Sequence, residues 1–326
     1  MSLRERLRYY QRIFAAYLTR SKSQLTFWHG EPQVNEQSQP GQLGQYYMPF
    51  LAKADYPGHY DEQGTPMLDY HGAVGLQYNP IAIAQYGLGN YNLFCRTGDP
   101  ERHCKFLAMA DWLVANLERN SAGQWVWNHH FEWEYRTPLK APWYSALAQG
   151  QGISLLVRAH QEMDNPAYLD GAQRAYETFL KVADEGGVTY VDGDGYTWFE
   201  EAIVDPPTHI LNGFLWASWG VYDYFLHTRD EEAGRIFDEA VRTLRDKLPR
   251  FDVGFWSLYE HSGTWMKMLA SPFYHSLHIV QLRVMHRLTE ELVFARYADR
   301  WDAYRRSFVR RNLALGYKAL FKLLYY

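Results

Sequence analysis

The stretch that decides the fold runs from residue 143 to residue 166 and reads WYSALAQGQGISLLVRAHQEMDNP. It begins as an apolar helix, and Met163-Asp164-Asn165-Pro166 then forms a polar turn before an amphipathic helix over residues 167–180. Two helical patterns on either side of a short turn predict a helical hairpin. Glutamines and glycines interrupt the first apolar run, so we expect that helix to be buried on both sides, with polar groups facing an internal cavity.

The same plan occurs three more times, at intervals of roughly 65 residues. The other polar turns are Thr97-Gly98-Asp99-Pro100, Thr228-Arg229-Asp230 and Leu288-Thr289-Glu290. Repeated helical hairpins predict an inner ring built from the first helices and an outer ring built from the second helices. The predicted fold class is therefore mainly α, an (α/α) barrel or toroid of about four helical hairpins with β-hairpins at one rim.

The β-hairpins are predicted in the long connectors, residues 120–142, 185–208 and 249–273. These segments alternate aromatic and polar residues and contain glycine turns, which is typical of short strands. All three lead into inner helices, so they should meet at the same rim. Long ordered connectors are usually functional, and we expect the active-site cleft there.

We predict three parts along the chain. Residues 1–77 form an N-terminal helix and an irregular or β arm that packs on the barrel, residues 78–308 form the barrel, and residues 309–326 form a basic amphipathic tail. The basic termini leave three interpretations open, namely peripheral contact with an anionic membrane, docking on the chain itself, and a homodimer.

Composition narrows the class of function. The net charge of −4 argues against a nucleic-acid binder, which needs a basic face. The 26 tyrosines and 12 tryptophans point to carbohydrate contact as well as to core packing. There is no apolar segment of signal-peptide type, which predicts a cytoplasmic protein with membrane association left open. Cys95 and Cys104 have neither metal-ligand nor redox spacing.

Residues 198–214, WFEEAIVDPPTHILNGF, carry the main chemical signal. Glu200 and Glu201 are adjacent carboxylates on an aromatic-rich loop directly before an apolar helix. Aromatic faces stack on pyranose rings, and partial burial raises a glutamate pKa toward a value that suits acid/base catalysis. The alternative is a solvated glutamate pair on a loop.

Four blocks, residues 77–87 (QYNPIAIAQYG), 143–154 (WYSALAQGQGIS), 211–214 (LNGF) and 273–282 (FYHSLHIVQL), carry a family resemblance. In this order and spacing they resemble the catalytic domain of D-glucuronyl C5-epimerases, and the chain is similar to the shorter microbial members. The resemblance implies a uronate C5-epimerase that converts glucuronate to iduronate within an oligo- or polysaccharide. It implies no metal, no nucleotide and no other cofactor.

The resemblance also assigns catalytic positions. The family's catalytic glutamate falls on Glu201, its catalytic tyrosine falls on Tyr274, and a further active-site tyrosine falls on Tyr259. The pKa values of a glutamate and a tyrosine must be moved toward each other to serve as a proton-transfer pair. Ala202 departs from the family, because well-studied members have a tyrosine after the glutamate pair, so one hydroxyl of the usual site is missing.

A set of substrate-binding residues is predicted around this pair. Arg158 either binds a substrate carboxylate or forms a structural ion pair. His275 and His278, spaced i, i+3, favour hydrogen bonding over a metal site. The amides are either partners of sugar hydroxyls or helix caps and satisfied buried groups. The full set is Asn79, Tyr144, Gln149, Gln151, Arg158, Glu200, Asn212, His275 and His278.

Three other functions stay open at this point. A polysaccharide lyase begins with the same C5 proton abstraction and then expels the 4-substituent. A glycoside hydrolase needs a second carboxylate across the scissile bond, such as Glu132, Glu134 or Asp205. A non-catalytic polysaccharide-binding protein is kept open by Ala202.

Overall fold

The computed structural model describes residues 27, 30–70, 74–133 and 137–325, without the side chains of residues 322–325. The predicted N-terminal helix lies outside the described residues. In chain order the helices are α1 (Leu51–Ala54), α2 (Pro80–Thr97), α3 (Pro100–Ala115), α4 (Ala146–Met163), α5 (Pro166–Tyr176), α6 (Leu211–Thr228), α7 (Glu231–Lys247), α8 (Pro272–Thr289), α9 (Leu292–Arg306) and α10 (Phe308–Tyr325).

Capping residues set the turns of the helical hairpins. The helices α2, α4, α6 and α8 each end at a residue with left-handed backbone geometry, with φ values of 68°, 51°, 61° and 60°. In three hairpins the next residue caps the following helix, because Asp99, Asn165 and Asp230 accept hydrogen bonds from backbone N–H groups there. The chain therefore reverses within two residues at each of these turns.

The helical hairpins form an (α/α) toroid, as predicted. The inner helices α2, α4, α6 and α8 pack side by side in chain order, and α3, α5, α7 and α9 cover them from outside. Glycines bring α4 and α6 into backbone contact, since a Cβ atom at Gly150 would lie 2.6 Å from Ala217 Cα and one at Gly220 would lie 2.3 Å from Gly150 Cα. Larger residues there would force the two inner helices apart.

Short antiparallel strands precede the inner helices, so the predicted β-hairpins at one rim are also confirmed. The sheet β1-β2-β3 leads into α2, the hairpin β4-β5 precedes α4, and β6-β7 precedes α6. The connector before α8 carries two isolated bridges, Asp252 to Ser257 and Leu258 to Leu269. The strands are β1 (His59–Tyr60), β2 (Pro66–Asp69), β3 (Leu76–Gln77), β4 (Glu118–Arg119), β5 (Trp125–Val126), β6 (Thr189–Val191) and β7 (Thr197–Phe199).

The chain between residues 35 and 50 crosses the inner helices toward their C-terminal ends. Tyr47 donates a hydrogen bond to Asp223 Oδ1 (2.6 Å), and Arg287 donates to the carbonyl of Ser38 (3.0 Å). Both Asp223 and Arg287 lie in the second half of their helices. The arm therefore covers the end of the toroid that is opposite the hairpin rim.

The C-terminal helix α10 docks on the connector that precedes α8. The Tyr317 hydroxyl accepts a hydrogen bond from Lys267 N (3.0 Å), and Lys318 Nζ donates to the carbonyl of Leu269 (3.0 Å). This is docking on the chain itself, while membrane contact and a homodimer stay predictions. Within the described part of the chain, no helix has the length and apolar character needed to cross a membrane.

Candidate active site at the hairpin rim

Glu201 lies where the end of β7 meets the start of α6. Its Oε2 accepts a hydrogen bond from Asn212 Nδ2 (3.0 Å), and the carboxylate packs on the backbone of Gly213 in the first turn of α6. The side chain keeps partial access to solvent. Glu201 is thus fixed by one hydrogen bond and is not fully enclosed by the protein.

The surroundings of Glu201 favour its neutral form. Burial raises its pKa to about 8, and the charges of Glu200 and Glu260 add to this rise. The hydrogen bond from Asn212 acts in the opposite direction, because it stabilises the ionised carboxylate. Glu201 therefore has an affinity for protons that suits a general base near neutral pH.

Tyr274 lies in the first turn of α8 and is partly exposed. Burial raises its pKa, and the charge of Glu201 raises it further. A hydrogen bond with Tyr259 lowers the pKa again, and the two rings meet edge to face at 4.8 Å. Three separate elements therefore bring Glu201, Tyr259 and Tyr274 together.

The sequence did not single out Tyr70, which follows β2 at the same rim. Its ring packs on Phe131 at 4.6 Å, its hydroxyl accepts from Asn79 Nδ2 (2.7 Å), and its charge contributes to the raised pKa of Tyr274. In a chain with 26 tyrosines, no local signal distinguishes it. Gly213 and Glu260 were missed for a similar reason, since only the folded chain places them against Glu201.

Glu200 does not line this cleft, which corrects its predicted role in substrate binding. It is 2% exposed, and its carboxylate contacts Nδ1 of His209 at 2.5 Å and the backbone N–H of His209 at 3.1 Å. Consecutive residues of an extended chain point to opposite faces, so Glu200 and Glu201 are directed apart. Beyond His209 is a cavity of about 210 Å³, lined also by Trp198, Lys247 and His261, and Glu201 is not among its lining residues.

Two predicted substrate-binding glutamines are hydrogen-bonded inside the protein, although Gln151 Oε1 has no hydrogen-bond partner among the described residues. Gln149 accepts from Trp127 N (3.0 Å) and donates to the carbonyl of Trp125 (3.0 Å). Gln151 donates to the Tyr46 hydroxyl at 2.6 Å. Both side chains are fully buried, so the structure contradicts direct contact with a sugar.

Asn79 and Tyr144 lie at the starts of α2 and α4. Asn79 caps α2, where its Oδ1 accepts from Ile81 N (2.9 Å), and it is 3% exposed. Asn79 therefore caps α2 and holds the Tyr70 hydroxyl in place. These contacts do not support direct binding of a sugar. Tyr144 is partly exposed, and burial raises its pKa while a hydrogen bond with Asn120 lowers it. Tyr144 stays a predicted substrate contact.

The contacts of Arg158 match its structural interpretation. Its Nη1 lies 2.7 Å from Asp223 Oδ2, its Nε donates to the carbonyl of Gly44 (2.8 Å), and both charged side chains are fully buried. Arg158 lies roughly 18 Å along α4 from the start of that helix at the rim. A substrate carboxylate bound at Glu201 and Tyr274 would be out of its reach, so the predicted binding role is corrected.

His275 and His278 point away from the cleft into the layer between α8 and α9. Ser257 Oγ lies 2.7 Å from His275 Nδ1 and 3.1 Å from His278 Nδ1, and His275 Nε2 lies 3.0 Å from the carbonyl of Trp301. Burial lowers the pKa of His275 to about 3, which keeps it neutral. Their predicted substrate contact is therefore wrong, and their role here is hydrogen bonding in the core. No candidate metal cluster occurs among the described residues.

Ala202 is buried beside Tyr259. It is 3% exposed and packs with Leu139 and Ile210, with Tyr259 against the same cluster. The position at which the family has a tyrosine thus belongs here to an apolar contact beside the site. Of the carboxylates considered for a hydrolase, Glu132 and Asp205 are exposed, and Glu134 lies outside the described residues.

Comparison with known proteins gives consistent matches. A family model described as D-glucuronyl C5-epimerase C-terminus matches residues 119–303, more than half of the chain. A D-glucuronyl C5-epimerase of Caenorhabditis elegans is 32% identical over 61% of this chain and 34% of its own length. An uncharacterized protein of Methanocaldococcus jannaschii is 25% identical over 60% of this chain and 63% of its own length. The chain thus spans less than two thirds of either relative.

Among solved structures, an unsaturated glucuronyl hydrolase specific for heparin is similar to this chain. The TM-score is 0.48 and the sequence identity is 12%, with 91% of this chain and 83% of that chain covered.

Proposed function

The chain belongs to the D-glucuronyl C5-epimerase C-terminus family, and on that premise we propose that it is a uronate C5-epimerase acting on glucuronate residues of an oligo- or polysaccharide. One observation supports this most directly. Glu201 and Tyr274 come from different elements and Tyr259 connects them, since its ring meets Tyr274 edge to face at 4.8 Å and packs with Ala202, the residue after Glu201. A hexuronate ring bound between them would present one face to each group.

The reaction sets clear demands on such a site. The C5 proton lies α to a carboxylate and is weakly acidic, because its removal adds a second negative charge. A base takes the proton from C5. The electron pair of the C5–H bond forms a C5=C6 double bond, and the C=O π pair of the carboxylate moves onto oxygen, which gives the aci-carboxylate. An acid on the other face then returns a proton to C5, and the configuration is inverted.

The two groups suit these roles in the proposed mechanism. Glu201, with a pKa of about 8, removes the C5 proton in its ionised form. Tyr274, whose raised pKa keeps it protonated, returns a proton from the opposite face, and the hydrogen bond with Tyr259 stabilises the tyrosinate that remains. Each turnover leaves Glu201 protonated and Tyr274 ionised, so both must exchange protons with solvent before the next one. In the reverse direction the roles are exchanged.

The test is incorporation of solvent deuterium at C5. The protein is incubated in deuterated water with a series of glucuronate-containing oligosaccharides, and the products are read by NMR. We expect deuterium at C5 and an iduronate product, with both lost in Glu201→Gln and in Tyr274→Phe. The matched controls Glu231→Gln and Tyr297→Phe, on the outer helices α7 and α9, should keep full exchange.

The other outcomes separate the alternatives. An unsaturated sugar would identify a lyase, which begins at the same carbanion but then expels the 4-substituent and leaves no hydrogen on C5. Binding of these oligosaccharides without any exchange would identify a sugar-binding protein. Exchange that survives in both site variants would overturn the assignment of Glu201 and Tyr274.

A further inference from the structure

One large aromatic residue in the connector before α4 is left open to solvent. Trp133 is 42% exposed, although its neighbours Phe131 and Trp127 are buried. An exposed indole forgoes the stabilisation that burial would give, and its apolar face is available to a ligand. None of the roles proposed above for Glu201, Tyr259 and Tyr274 uses this side chain.

Contacts on one side connect Trp133 to the tyrosines of the site. Its indole meets the ring of Tyr70 edge to face, with 5.4 Å between centroids and 74° between planes. Tyr70 is itself held in place, because its ring packs on Phe131 at 4.6 Å and its hydroxyl accepts a hydrogen bond from Asn79 Nδ2 (2.7 Å). Edge-to-face packing against this partly buried ring restricts the orientation of the indole.

Contacts on the other side connect Trp133 to Glu201. Trp133 and Leu139 exchange two backbone hydrogen bonds, of 2.9 Å and 3.0 Å, which makes them a cross-strand pair. Leu139 is 8% exposed and packs on Ala202, the residue that follows Glu201. The small side chain of Ala202 leaves room for Leu139, so the departure from the family at this position helps to hold the Trp133 segment beside the proposed base.

We propose that Trp133 is the stacking platform for the pyranose ring next to the reacting uronate. The indole is fixed by the Tyr70 ring and by the backbone pairing with Leu139, and its exposed face offers an apolar plane of the kind that the C–H face of a sugar covers. A neighbouring sugar bound there would orient the glucuronate between Glu201 and Tyr274. This inference rests on the proposed function, and it makes the substrate a glucuronate with a sugar neighbour, within a chain.

The first experiment measures the dependence on chain length. Deuterium exchange at C5 is measured with a hexasaccharide of alternating glucuronate and N-acetylglucosamine and with methyl glucuronide, which has no neighbouring sugar. Trp133→Ala should lower kcat/KM for the hexasaccharide about five- to tenfold, the size expected for one lost aromatic contact, and leave methyl glucuronide unchanged. Trp133→Phe should recover part of the loss.

Trp265→Ala is the matched control. Trp265 is 87% exposed and lies in the connector before α8, on which α10 docks. Its removal therefore also deletes an exposed indole from a loop at the rim. It should leave both substrates unchanged. An equal loss on the two substrates in Trp133→Ala would show a general distortion of the site, and no loss on the hexasaccharide would show that no sugar stacks there. Either result overturns the proposal.

A binding measurement separates this inference from the chemistry. Titration calorimetry of the hexasaccharide with Glu201→Gln and with Glu201→Gln/Trp133→Ala should give a five- to tenfold weaker Kd for the double variant. This holds even if the unaltered protein exchanges no C5 proton, in which case the epimerase proposal alone fails. Equal Kd values overturn the platform, and no binding to either protein overturns both proposals.

Discussion

The carboxylate of Glu201 lies so close to Gly213 that a Cβ atom at position 213 would come 2.2 Å from Glu201 Oε2 and 2.6 Å from Glu201 Cβ. Both distances are far below van der Waals contact. The distance to Glu201 Cβ matters most, because Cβ is attached to the backbone and cannot rotate away, unlike the carboxylate oxygen at the end of the side chain. The glycine at the start of α6 therefore sets the position of the proposed base.

Gly213→Ala should displace Glu201 and lower kcat/KM at least about a hundredfold, since a shift of about 1 Å at a catalytic group has effects of that size. Alanine is a better helix former than glycine, so α6 itself should persist. The control is Gly316→Ala in α10, where an added Cβ meets no atom within 4 Å. Exchange rates and thermal unfolding are measured on both variants, and full activity in Gly213→Ala would contradict the placement of Glu201.

The pH dependence of activity should follow the surroundings of Glu201. The base acts in its ionised form, so kcat/KM should rise with pH through a midpoint near 8, and it should not fall again until well above 10, because the pKa of Tyr274 is raised. Asn212→Ala removes the hydrogen bond that favours the ionised carboxylate. The rising limb should then move to higher pH, and an unchanged limb would show that Glu201 is not the base.

The sequence predicts the helical layout well because the signals are local. Asp99, Asn165 and Asp230 cap their helices within a few residues of the turns that they mark. Residue orientation at the site is different, because partners are distant in the chain. Arg158 pairs with Asp223, 65 residues away, and Gln149 is satisfied by loop and outer-helix groups that its helical pattern does not specify. Family resemblance identified Glu201 and Tyr274, whereas only the fold shows which neighbours surround them.

The raised pKa of Glu201 should also appear in stability. A carboxyl group whose pKa rises from 4.5 to about 8 on folding stabilises the protein below pH 4.5, and this contribution is lost as pH rises toward 8. Glutamine carries no charge at any pH. Glu201→Gln should therefore match the unaltered protein at pH 4.5 and exceed it at pH 9 by on the order of a few kcal/mol. Urea denaturation at the two pH values measures this, and an equal difference at both would contradict it.

Arg158 should matter for stability and little for substrate affinity. Arg158→Met leaves the buried carboxylate of Asp223 without its cation, which should lower the free energy of unfolding by about 3–5 kcal/mol. Replacing both partners, as in Arg158→Met/Asp223→Leu, should recover much of this loss, because no uncompensated charge remains. Urea denaturation tests the stability, and KM is measured on the folded double variant. A large rise in KM there would instead support binding of a substrate carboxylate.

Restoring the family tyrosine at position 202 should not improve this protein. Ala202 is 3% exposed against Leu139 and Ile210, so a tyrosine there would overpack the cluster and should destabilise the protein by about 1–3 kcal/mol. It should also displace Leu139 and the segment paired with it. Adding Leu139→Ala makes space, so Ala202→Tyr/Leu139→Ala should regain stability relative to Ala202→Tyr. Denaturation and C5 exchange are compared across the three proteins, and a faster exchange rate in Ala202→Tyr alone would show that position 202 does face the substrate.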